Sequence, residues 1–414
     1  MGKYRTSRHD APDRVPVKPV AKPAELPPSR IPVIDEQGRR RGHVGFKAGK
    51  AKVAHASFVR AAALKPDEAE AHHNLANALA ELHRYDEALT SYRRASAIDP
   101  NHAQANFAEA MLLLGQGKLR EGFEKYEWRR RLGTLVPRGF PVPQWNGEDL
   151  AGRTVLLHGE QGYGDTIQGL RYVSLVAKRG ARVVLEVPQP LMRLAARLPG
   201  VTELVANGEA LPHFDLFCPL LSLPRAFATT LETIPAEIPY LTAEPDAVAR
   251  WRETLDGGVG LKVGIAWAGS PLHRSDARRS IEIETLLPLR RLKGVRWFSL
   301  QVGERAADLA RLPPGLLTDI APQLTDFAET AGAILNLDLV IAVDTAVAHL
   351  AGALAKPAWI VLPFSPDCRW MLKREDSPWY PNARLYRQPS RGDWDSVVKR
   401  VRADLAALVA AEPS

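Results

Sequence analysis

A short apolar strand that runs directly into a glycine-rich turn constrains the fold of this chain more than any other feature. The strand is Thr154-Val-Leu-Leu-His158, and the turn is Gly159-Glu-Gln-Gly-Tyr-Gly-Asp165. An amphipathic run follows at 166–178, and a second apolar strand follows at 181–187. Strand, glycine turn, helix and strand in this order form a βαβ unit, whose strands are parallel with the helix crossing one face. The sequence therefore predicts an α/β domain here.

A second series of strands and helices begins after Asp256-Gly-Gly258. The apolar stretches that predict its strands lie at 263–267, 295–301, 337–343 and 358–362. A helix is predicted at 346–355, and an amphipathic stretch at 394–411 predicts a closing helix. Ligands of such sheets bind at the carboxyl ends of the strands. Two α/β halves that face each other would therefore enclose a cleft.

The segment before these halves repeats with a period of 34 residues. Pro66 follows Phe58-Val-Arg-Ala-Ala-Ala-Leu-Lys, and Pro100 follows Tyr92-Arg-Arg-Ala-Ser-Ala-Ile-Asp. This is the period of tetratricopeptide (TPR) helix pairs. Stacked pairs leave a concave surface that commonly binds protein segments, but so short an array can also serve only to cap the α/β domains. Both interpretations stay open.

The positive charge of the chain is concentrated at its beginning. Residues 1–60 hold 14 Lys or Arg against 5 Asp or Glu, within a chain of net charge +8, so the remainder is close to neutral. Prolines interleave these basic residues, which favours an extended, disordered tail at 1–34. A base-reading module is missing from the pattern, so we expect no nucleic-acid partner.

The composition also bears on the compartment. The sequence has no apolar run of the length that a transmembrane helix needs, and its first thirty residues have no secretory pattern. Cys218 and Cys368 are its two cysteines, which fits a reducing environment. We therefore expect a cytoplasmic protein, free or at the surface of the inner membrane.

Asp165 closes the glycine turn at the start of the first predicted helix. A carboxylate at a helix start is stabilised by free N–H groups and the helix dipole, which makes Asp165 a helix cap. At the mouth of a cleft the same carboxylate could accept the proton of an attacking hydroxyl. The local pattern favours the cap. The glycines do not form a dinucleotide fingerprint, because Glu186 lies inside the second strand rather than after it.

Two further polar groups follow strands of the second half. Val343-Asp344-Thr345-Ala-Val-Ala-His349 opens a helix, where free N–H groups and small side chains would admit a diphosphate. His273-Arg274-Ser-Asp-Ala-Arg278-Arg279 follows the strand that ends at Trp267, and arginines there could neutralise a leaving diphosphate. Taken alone, a structural histidine and a solvated loop explain these patterns as well.

The motifs together resemble a known family. Gly164-Asp165 after the first strand, with Asp344-Thr345 and His349 near the C-terminus, resembles the ADP-heptose:lipopolysaccharide heptosyltransferases of glycosyltransferase family 9. The full order of motifs is similar to bacterial TPR-containing members of that family: Tyr126-Glu-Trp128-Arg, His158-Gly-Glu-Gln-Gly, Leu221-Ser-Leu-Pro224, Trp267-Ala-Gly, Ser299-Leu-Gln301, Leu324-Thr-Asp-Phe327, Val343-Asp-Thr-Ala-Val-Ala-His-Leu350 and Trp379-Tyr-Pro381. The resemblance spans about 67–409.

The resemblance implies a short TPR array followed by a GT-B fold, in which two Rossmann-like α/β domains face a cleft. Together with the composition and the repeat, it divides the chain into a tail at 1–34, TPR repeats at 35–135, a linker at 136–152, an acceptor domain at 153–255, a donor domain at 256–392 and a C-terminal helix at 393–414. The implied activity is inverting, metal-independent sugar transfer from a nucleotide-diphosphate sugar to a hydroxyl of a protein or glycan. No cofactor is implied, and the TPR surface would assist acceptor binding.

The resemblance also implies roles for individual residues. Asp165 would be the catalytic base, beside an acceptor-side loop made of Glu160, Gln161, Gly162 and Gly164. The donor would contact Trp267, Gly269, Ser270, Arg278, Arg279, Gln301, Asp344, Thr345, Ala346, Val347 and His349. Heptosyltransferases carry a lysine in the loop after the first strand of the donor domain, where this chain has only arginines, and the two are not interchangeable. The sugar is therefore left open.

Two alternatives stand beside sugar transfer. A non-catalytic adaptor would keep the fold for binding alone, and a sugar-nucleotide epimerase of the GT-B type would convert the donor without an acceptor. Retention of Asp165, Asp344 and His349 favours the transferase over the adaptor.

Overall fold

The computed structural model describes residues 31–34, 40–44, 51–271 and 276–411 of the 414-residue chain. Most of the predicted tail lies outside these residues. Its last part, β1 (Ile31–Ile34), pairs antiparallel with β2 (Arg40–Val44). In the described parts of the chain, every helix is too short or too polar to cross a membrane.

Five helices form the N-terminal array: α1 (Ala51–Leu64), α2 (Ala69–Glu81), α3 (Tyr85–Ile98), α4 (Ala103–Gly115) and α5 (Leu119–Tyr126). The starts of α2 and α4 are 34 residues apart, which is the period found in the sequence. The fully buried Ala76 and Ala88 let α2 and α3 approach closely, and the Tyr92 hydroxyl donates to Asn77 at 2.7 Å. The repeat prediction is confirmed as a helical array, which ends in a 3₁₀ turn at Glu127–Arg131.

The first α/β domain follows. Its elements are β3 (Thr154–His158), α6 (Tyr163–Leu170), α7 (Val173–Lys178), β4 (Arg182–Val187), α8 (Met192–Ala195), β5 (Val201–Ala206), β6 (Leu216–Pro219) and α9 (Leu223–Ala226). The strands are parallel in the order β5-β4-β3-β6. The amphipathic run at 166–178 thus covers parts of two helices. They separate around Arg171, whose buried guanidinium donates to the Trp379 carbonyl at 2.7 Å.

The second α/β domain holds the larger sheet. Its elements are α10 (Pro245–Thr254), β7 (Leu261–Ala266), α11 (Asp276–Arg279), β8 (Val295–Ser299), β9 (Thr318–Asp319), α12 (Phe327–Leu335), β10 (Leu339–Val343), α13 (Ala346–Ala353), β11 (Ala358–Leu362), β12 (Ala383–Arg387) and α14 (Trp394–Ala411). The strands are parallel in the order β12-β11-β10-β7-β8-β9. The predicted fold class, a TPR array followed by two Rossmann-like domains of a GT-B fold, is confirmed.

One hydrophobic core runs through all three units. Leu114 and Leu119 of the array belong to the same buried cluster as Trp145, which lies in the predicted linker and is fully buried. The Leu372 N–H also donates to the Gly115 carbonyl at 3.1 Å, so the second α/β domain holds the end of α4. The array is therefore packed into the α/β domains instead of being tethered to them. The domain limits given above stay predictions.

We expect Leu119→Ala to lower the free energy of unfolding by about 2–5 kcal/mol, because the change leaves a cavity in this shared core. The exposed Leu64→Ala is the matched control and should change it by no more than about 0.5 kcal/mol. Urea unfolding followed by tryptophan fluorescence and by helical circular dichroism provides the measurement. Both probes should report one coincident transition, and separate transitions for array and α/β domains would contradict the shared core.

Candidate active site

The site begins where the first turn of α6 meets the first turn of α13. Gly162 is the N-cap of α6, and its N–H donates to Asp165 Oδ2 at 3.0 Å. Gly164 lies directly against α13: a Cβ at this position would lie 2.7 Å from His349 Cδ2. A larger side chain would force the helices apart, so glycine permits the two domains to touch at this point.

The second oxygen of Asp165 is held from the opposite domain. Arg369 Nη2 donates to Asp165 Oδ1 at 2.5 Å. The same guanidinium donates to Asp367 at 2.8 Å and to the Gln168 side chain at 3.1 Å. Arg369 lies in the 3₁₀ turn Cys368–Trp370, in the segment that follows β11. Asp165 is thus both a helix cap and one half of an ion pair across the domain boundary.

His349 is buried one turn into α13. Arg369 Nη1 lies 3.3 Å from its Nε2, and its Nδ1 lies 2.9 Å from the Tyr380 hydroxyl. Burial, with the nearby Arg369 charge as the second cause, holds the pKa of His349 well below its usual range. The ring is therefore neutral near pH 7. Because a guanidinium only donates, Nε2 accepts and the proton is on Nδ1, facing Tyr380.

Asp344 directly follows β10 and lies beside this ring, with Oδ1 3.8 Å from His349 Nε2. Desolvation raises the pKa of Asp344 to about 6, although the charge of Arg369 opposes the shift. Thr345 and Ala346 next to it are partly exposed, while Val347 is buried. The first N–H groups of α13 have no acceptor within the helix and carry the positive end of its dipole. This end of the helix suits a phosphate group.

The loop after β7 is shaped by two buried side chains. Gln301 Oε1 accepts the N–H groups of Trp267 at 3.1 Å and Ala268 at 2.8 Å, and the Trp267 indole donates to Asp308 at 3.1 Å. Trp267 and Gln301 are both almost fully buried, so their contacts are within the protein. Gly269 lies against the Arg279 guanidinium, and Ser270 is exposed. The loop thus brings Gly269 next to Arg279, and its predicted contact with the donor stays a prediction.

The structure separates the two predicted donor arginines. Arg279 Nη1 donates to the Asp344 carbonyl at 2.9 Å and is largely buried, so it lies with Asp344 at the start of α13. Arg278 is half exposed and points to the array, with Nη1 3.9 Å from Glu81 of α2. His273 and Arg274 of the same loop lie outside the described residues. The site thus contains Arg279, while Arg278 approaches the TPR array.

The acceptor-side loop lies at the carboxyl end of β3. Glu160 Oε1 accepts from Arg129 Nε at 2.6 Å, and Gln161 is exposed. Burial raises the pKa of Glu160, and the Arg129 charge opposes this shift. Arg129 itself is buried at the end of the helical array and also contacts Glu127 at 2.7 Å. The array therefore supports this loop directly.

Sequence reasoning missed four side chains that hold the site together: Arg369, Asp367, Tyr380 and Arg129. Arg369 and Asp367 follow β11, and the rule that ligands collect at the carboxyl ends of parallel strands could have drawn attention to them. Tyr380 and Arg129 lie inside or next to motifs quoted for the family resemblance. Their contacts are with residues distant in sequence, which local patterns do not encode.

Comparisons with known proteins agree with this architecture. Residues 69–102 match the tetratricopeptide repeat, and residues 297–362 match glycosyltransferase family 9 (heptosyltransferase). Protein FlbA of Caulobacter vibrioides is 27% identical over 384 residues, covering 84% of this chain and 63% of that protein. The chain therefore spans less than two thirds of the length of that relative.

Two solved structures are similar over the α/β part. The E. coli ADP-heptose lipopolysaccharide heptosyltransferase II is 15% identical with a TM-score of 0.44, covering 62% of this chain and 98% of that one. A family 9 glycosyl transferase from Veillonella parvula is 12% identical with a TM-score of 0.49, covering 64% and 100%.

The fold defines a class of architecture: a helical repeat array joined to the two Rossmann-like domains of a GT-B fold. More specifically, the array carries the match to the tetratricopeptide repeat, and the second α/β domain carries the match to glycosyltransferase family 9 (heptosyltransferase), as the resemblance predicts. The described residues contain no group of three or more His, Cys, Asp or Glu placed to hold a metal ion. The roles of the individual site residues stay predictions.

We expect Asp344→Asn to stabilise the chain near neutral pH. The pKa of Asp344 is raised from 3.8 to about 6 by folding, so the folded state binds this proton more tightly than the unfolded state. Ionisation therefore costs stability as the pH rises from about 4 to about 6. The variant should gain about 1–3 kcal/mol in free energy of unfolding at about pH 7.5, and the gain should vanish near pH 4. Urea titrations across this pH range measure the gain in stability. A gain that does not depend on pH would contradict the raised pKa of Asp344. The exposed Asp149→Asn is the control.

Arg369→Gln should lower the free energy of unfolding by about 3–5 kcal/mol, because Asp165 and Asp367 would be left without their cation. Asp165→Asn removes one of these charges, so the double variant should lose about 1–3 kcal/mol less than the sum of the single variants. A double-mutant cycle measured by chemical denaturation gives this coupling. Strict additivity would show that the ion pair is absent in solution.

Proposed function

We propose that this chain is an inverting glycosyltransferase that transfers a sugar from a nucleotide-diphosphate donor to a hydroxyl of a protein or glycan acceptor. One observation carries the proposal: Asp165 at the start of α6 faces Asp344, His349 and the N-terminus of α13 across the domain boundary. A base and a phosphate-binding helix end, supplied by different domains at one point, are what a transfer between two bound substrates requires.

The donor side belongs to the second α/β domain. The free N–H groups at Thr345, Ala346 and Val347 would bind the diphosphate, and Arg279 beside them would neutralise the charge that develops on it. Asp344 and His349 would contact the sugar or the phosphate next to it. Gly269 and Ser270 would border the same site from the loop after β7.

The acceptor side belongs to the first α/β domain. The acceptor oxygen would attack the anomeric carbon while the bond from that carbon to the diphosphate oxygen breaks. The hydroxyl proton would pass to Asp165, and the electron pair of the broken bond would leave with the nucleoside diphosphate. A single displacement of this kind inverts the anomeric carbon. Arg369 would orient the Asp165 carboxylate, since each carboxylate oxygen has a second lone pair free to accept a proton.

The charge of the leaving diphosphate would be met by Arg279 and the helix end, so we propose that the transfer needs no metal ion and no cofactor. The TPR array would present a protein acceptor or partner to the cleft, because its end is packed into both α/β domains. We place the reaction in the cytoplasm, where nucleotide sugars are available as donors.

The first experiment identifies the donor and then removes the base. Thermal-shift screening against nucleotides and nucleotide sugars finds the ligand that stabilises the chain. With that donor, Asp165→Asn should lower turnover by about 10²–10⁴-fold, measured as release of nucleoside diphosphate, while donor binding is retained. The exposed Asp246→Asn, on α10, is the matched control.

Four results would count against the proposal, the last of them against one part of it only. Undiminished turnover in Asp165→Asn would remove this residue as the base. Conversion of the donor with no acceptor present would indicate an epimerase, and failure to bind or turn over any nucleotide sugar would indicate an adaptor. Loss of activity in the presence of a chelator would overturn metal independence alone.

A further inference from the structure

An open pocket of about 690 Å³ lies between the segment 127–140 and the carboxyl ends of the strands of the first α/β domain. The segment continues directly from α5, so the end of the helical array forms one wall. His158 at the end of β3 lines the opposite side with Glu160 and Gln161, which lie in the turn that leads to Asp165. A volume of this size lies within the range of ligand-binding pockets.

The carboxylates around this pocket are already paired. Arg129 contacts Glu127 at 2.7 Å and Glu160 at 2.6 Å. Arg138 contacts the buried Glu186 through two hydrogen bonds, at 2.8 and 3.0 Å. Because of these pairs, the described wall has no free carboxylate that would repel an anion. The paired side chains do not themselves attract a ligand.

Two exposed arginines on the same wall are less well neutralised. Arg130 lies 3.9 Å from Glu127, whose carboxylate is already held by Arg129. Arg131 stacks 4.4 Å from the centre of the Trp128 ring, and no carboxylate of the described residues lies within 4.0 Å of it. The pocket therefore offers positive charge to an anion at its array side.

Two aromatic rings, Phe140 from the 127–140 segment and Phe217 from β6, line the pocket together beside an unsatisfied polar atom. Phe140 and Phe217 pack against each other at 5.1 Å and against the His158 ring. His158 Nδ1 faces the Gly159 carbonyl at 3.3 Å, so the proton is on Nδ1 and Nε2 is an acceptor. That Nε2 is buried and has no hydrogen-bond partner among the described residues. Since Nε2 is shielded from solvent, what this part of the pocket offers a ligand is the apolar surface of the two phenyl rings.

We propose that this pocket binds the acceptor as an extended peptide segment in which acidic residues flank the hydroxyl-bearing residue. The inference rests on the proposed transfer to a hydroxyl. It adds where the acceptor binds and which charge its flanking residues carry. Carboxylates of the peptide would contact Arg130 and Arg131, and apolar side chains would pack on Phe140 and Phe217. The hydroxyl would then enter the turn that carries Asp165.

A peptide fits this pocket better than a sugar chain does. Sugar rings need several hydrogen-bonding partners each, whereas Arg129, Arg138 and the carboxylates here are engaged with one another. The pocket is also continuous with the array, since Arg131 Nη1 lies 3.4 Å from the Asn101 side chain in the loop between α3 and α4. A polypeptide held on the array could pass into the pocket without a break.

The test compares two pools of dye-labelled peptides of about nine residues, long enough to cross the pocket when extended. Both pools carry a central Ser or Thr; the flanking positions are Asp and Glu in one pool and Asn and Gln in the other. Fluorescence anisotropy with the full chain should show that the acidic pool binds about tenfold more tightly. In Arg130→Gln/Arg131→Gln the preference should fall below about twofold.

A charge-matched variant and a folding check serve as the controls. Arg252→Gln on α10 removes the same charge from an exposed site elsewhere and should keep the full preference. Thermal unfolding of the double variant checks that it folds. Equal binding of the two pools, absence of binding to both, or tighter binding of an oligogalacturonide than of the acidic peptides would overturn the proposal. The binding assay contains no donor and is therefore independent of the transfer reaction. Acidic peptides can fail to bind while Asp165-dependent transfer is observed, and they can bind while no transfer is observed.

Discussion

The ion pair between Asp165 and Arg369 is the interaction on which the geometry of the site depends. It joins the first turn of α6 to the segment after β11, and Gly164 allows the two domains to touch beside it. A partly buried carboxylate is costly unless a cation and hydrogen bonds satisfy it. Separating the domains at this point would leave Asp165 without its cation, while Asp367, in the same segment as Arg369, would keep its own. The ion pair therefore fixes the position of the proposed base relative to the N-terminus of α13.

The shared core sets the second constraint. Because Leu114 and Leu119 of the array are buried with residues of the α/β domains, the array has a fixed orientation toward the cleft. Arg129 extends this coupling to the first α/β domain, where it supports Glu160. Toward the second α/β domain, Glu81 lies near Arg278 and contacts Arg391. A partner on the array would thus bind next to both halves of the site.

Much of the fold could be predicted from the sequence because its signals are local. Strands such as Thr154–His158 and Ala358–Leu362 are apolar runs with the bounds that the structure shows. The strand Ala383–Arg387 has no clear sequence signal because two of its five residues are arginines, which interrupt the apolar run of a buried strand. The 34-residue repeat can be seen in the sequence because each helix pair carries its own pattern of apolar residues. What no local signal carries is the packing of α5 and the linker Trp145 into one core.

In the site, too, the local features could be predicted from the sequence and the long-range contacts could not. The position of Asp165 at a strand end followed from the glycine turn, but its partner Arg369 lies 204 residues away. The two roles that the sequence suggests for Asp165, a helix cap and a functional carboxylate, turn out to be compatible. One of its oxygens accepts the Gly162 N–H, and the other faces the opposite domain. Because a carboxylate has two oxygens, a capping role orients Asp165 and does not argue against catalysis. A local pattern can therefore place such a residue, while its partner across the cleft decides what it does.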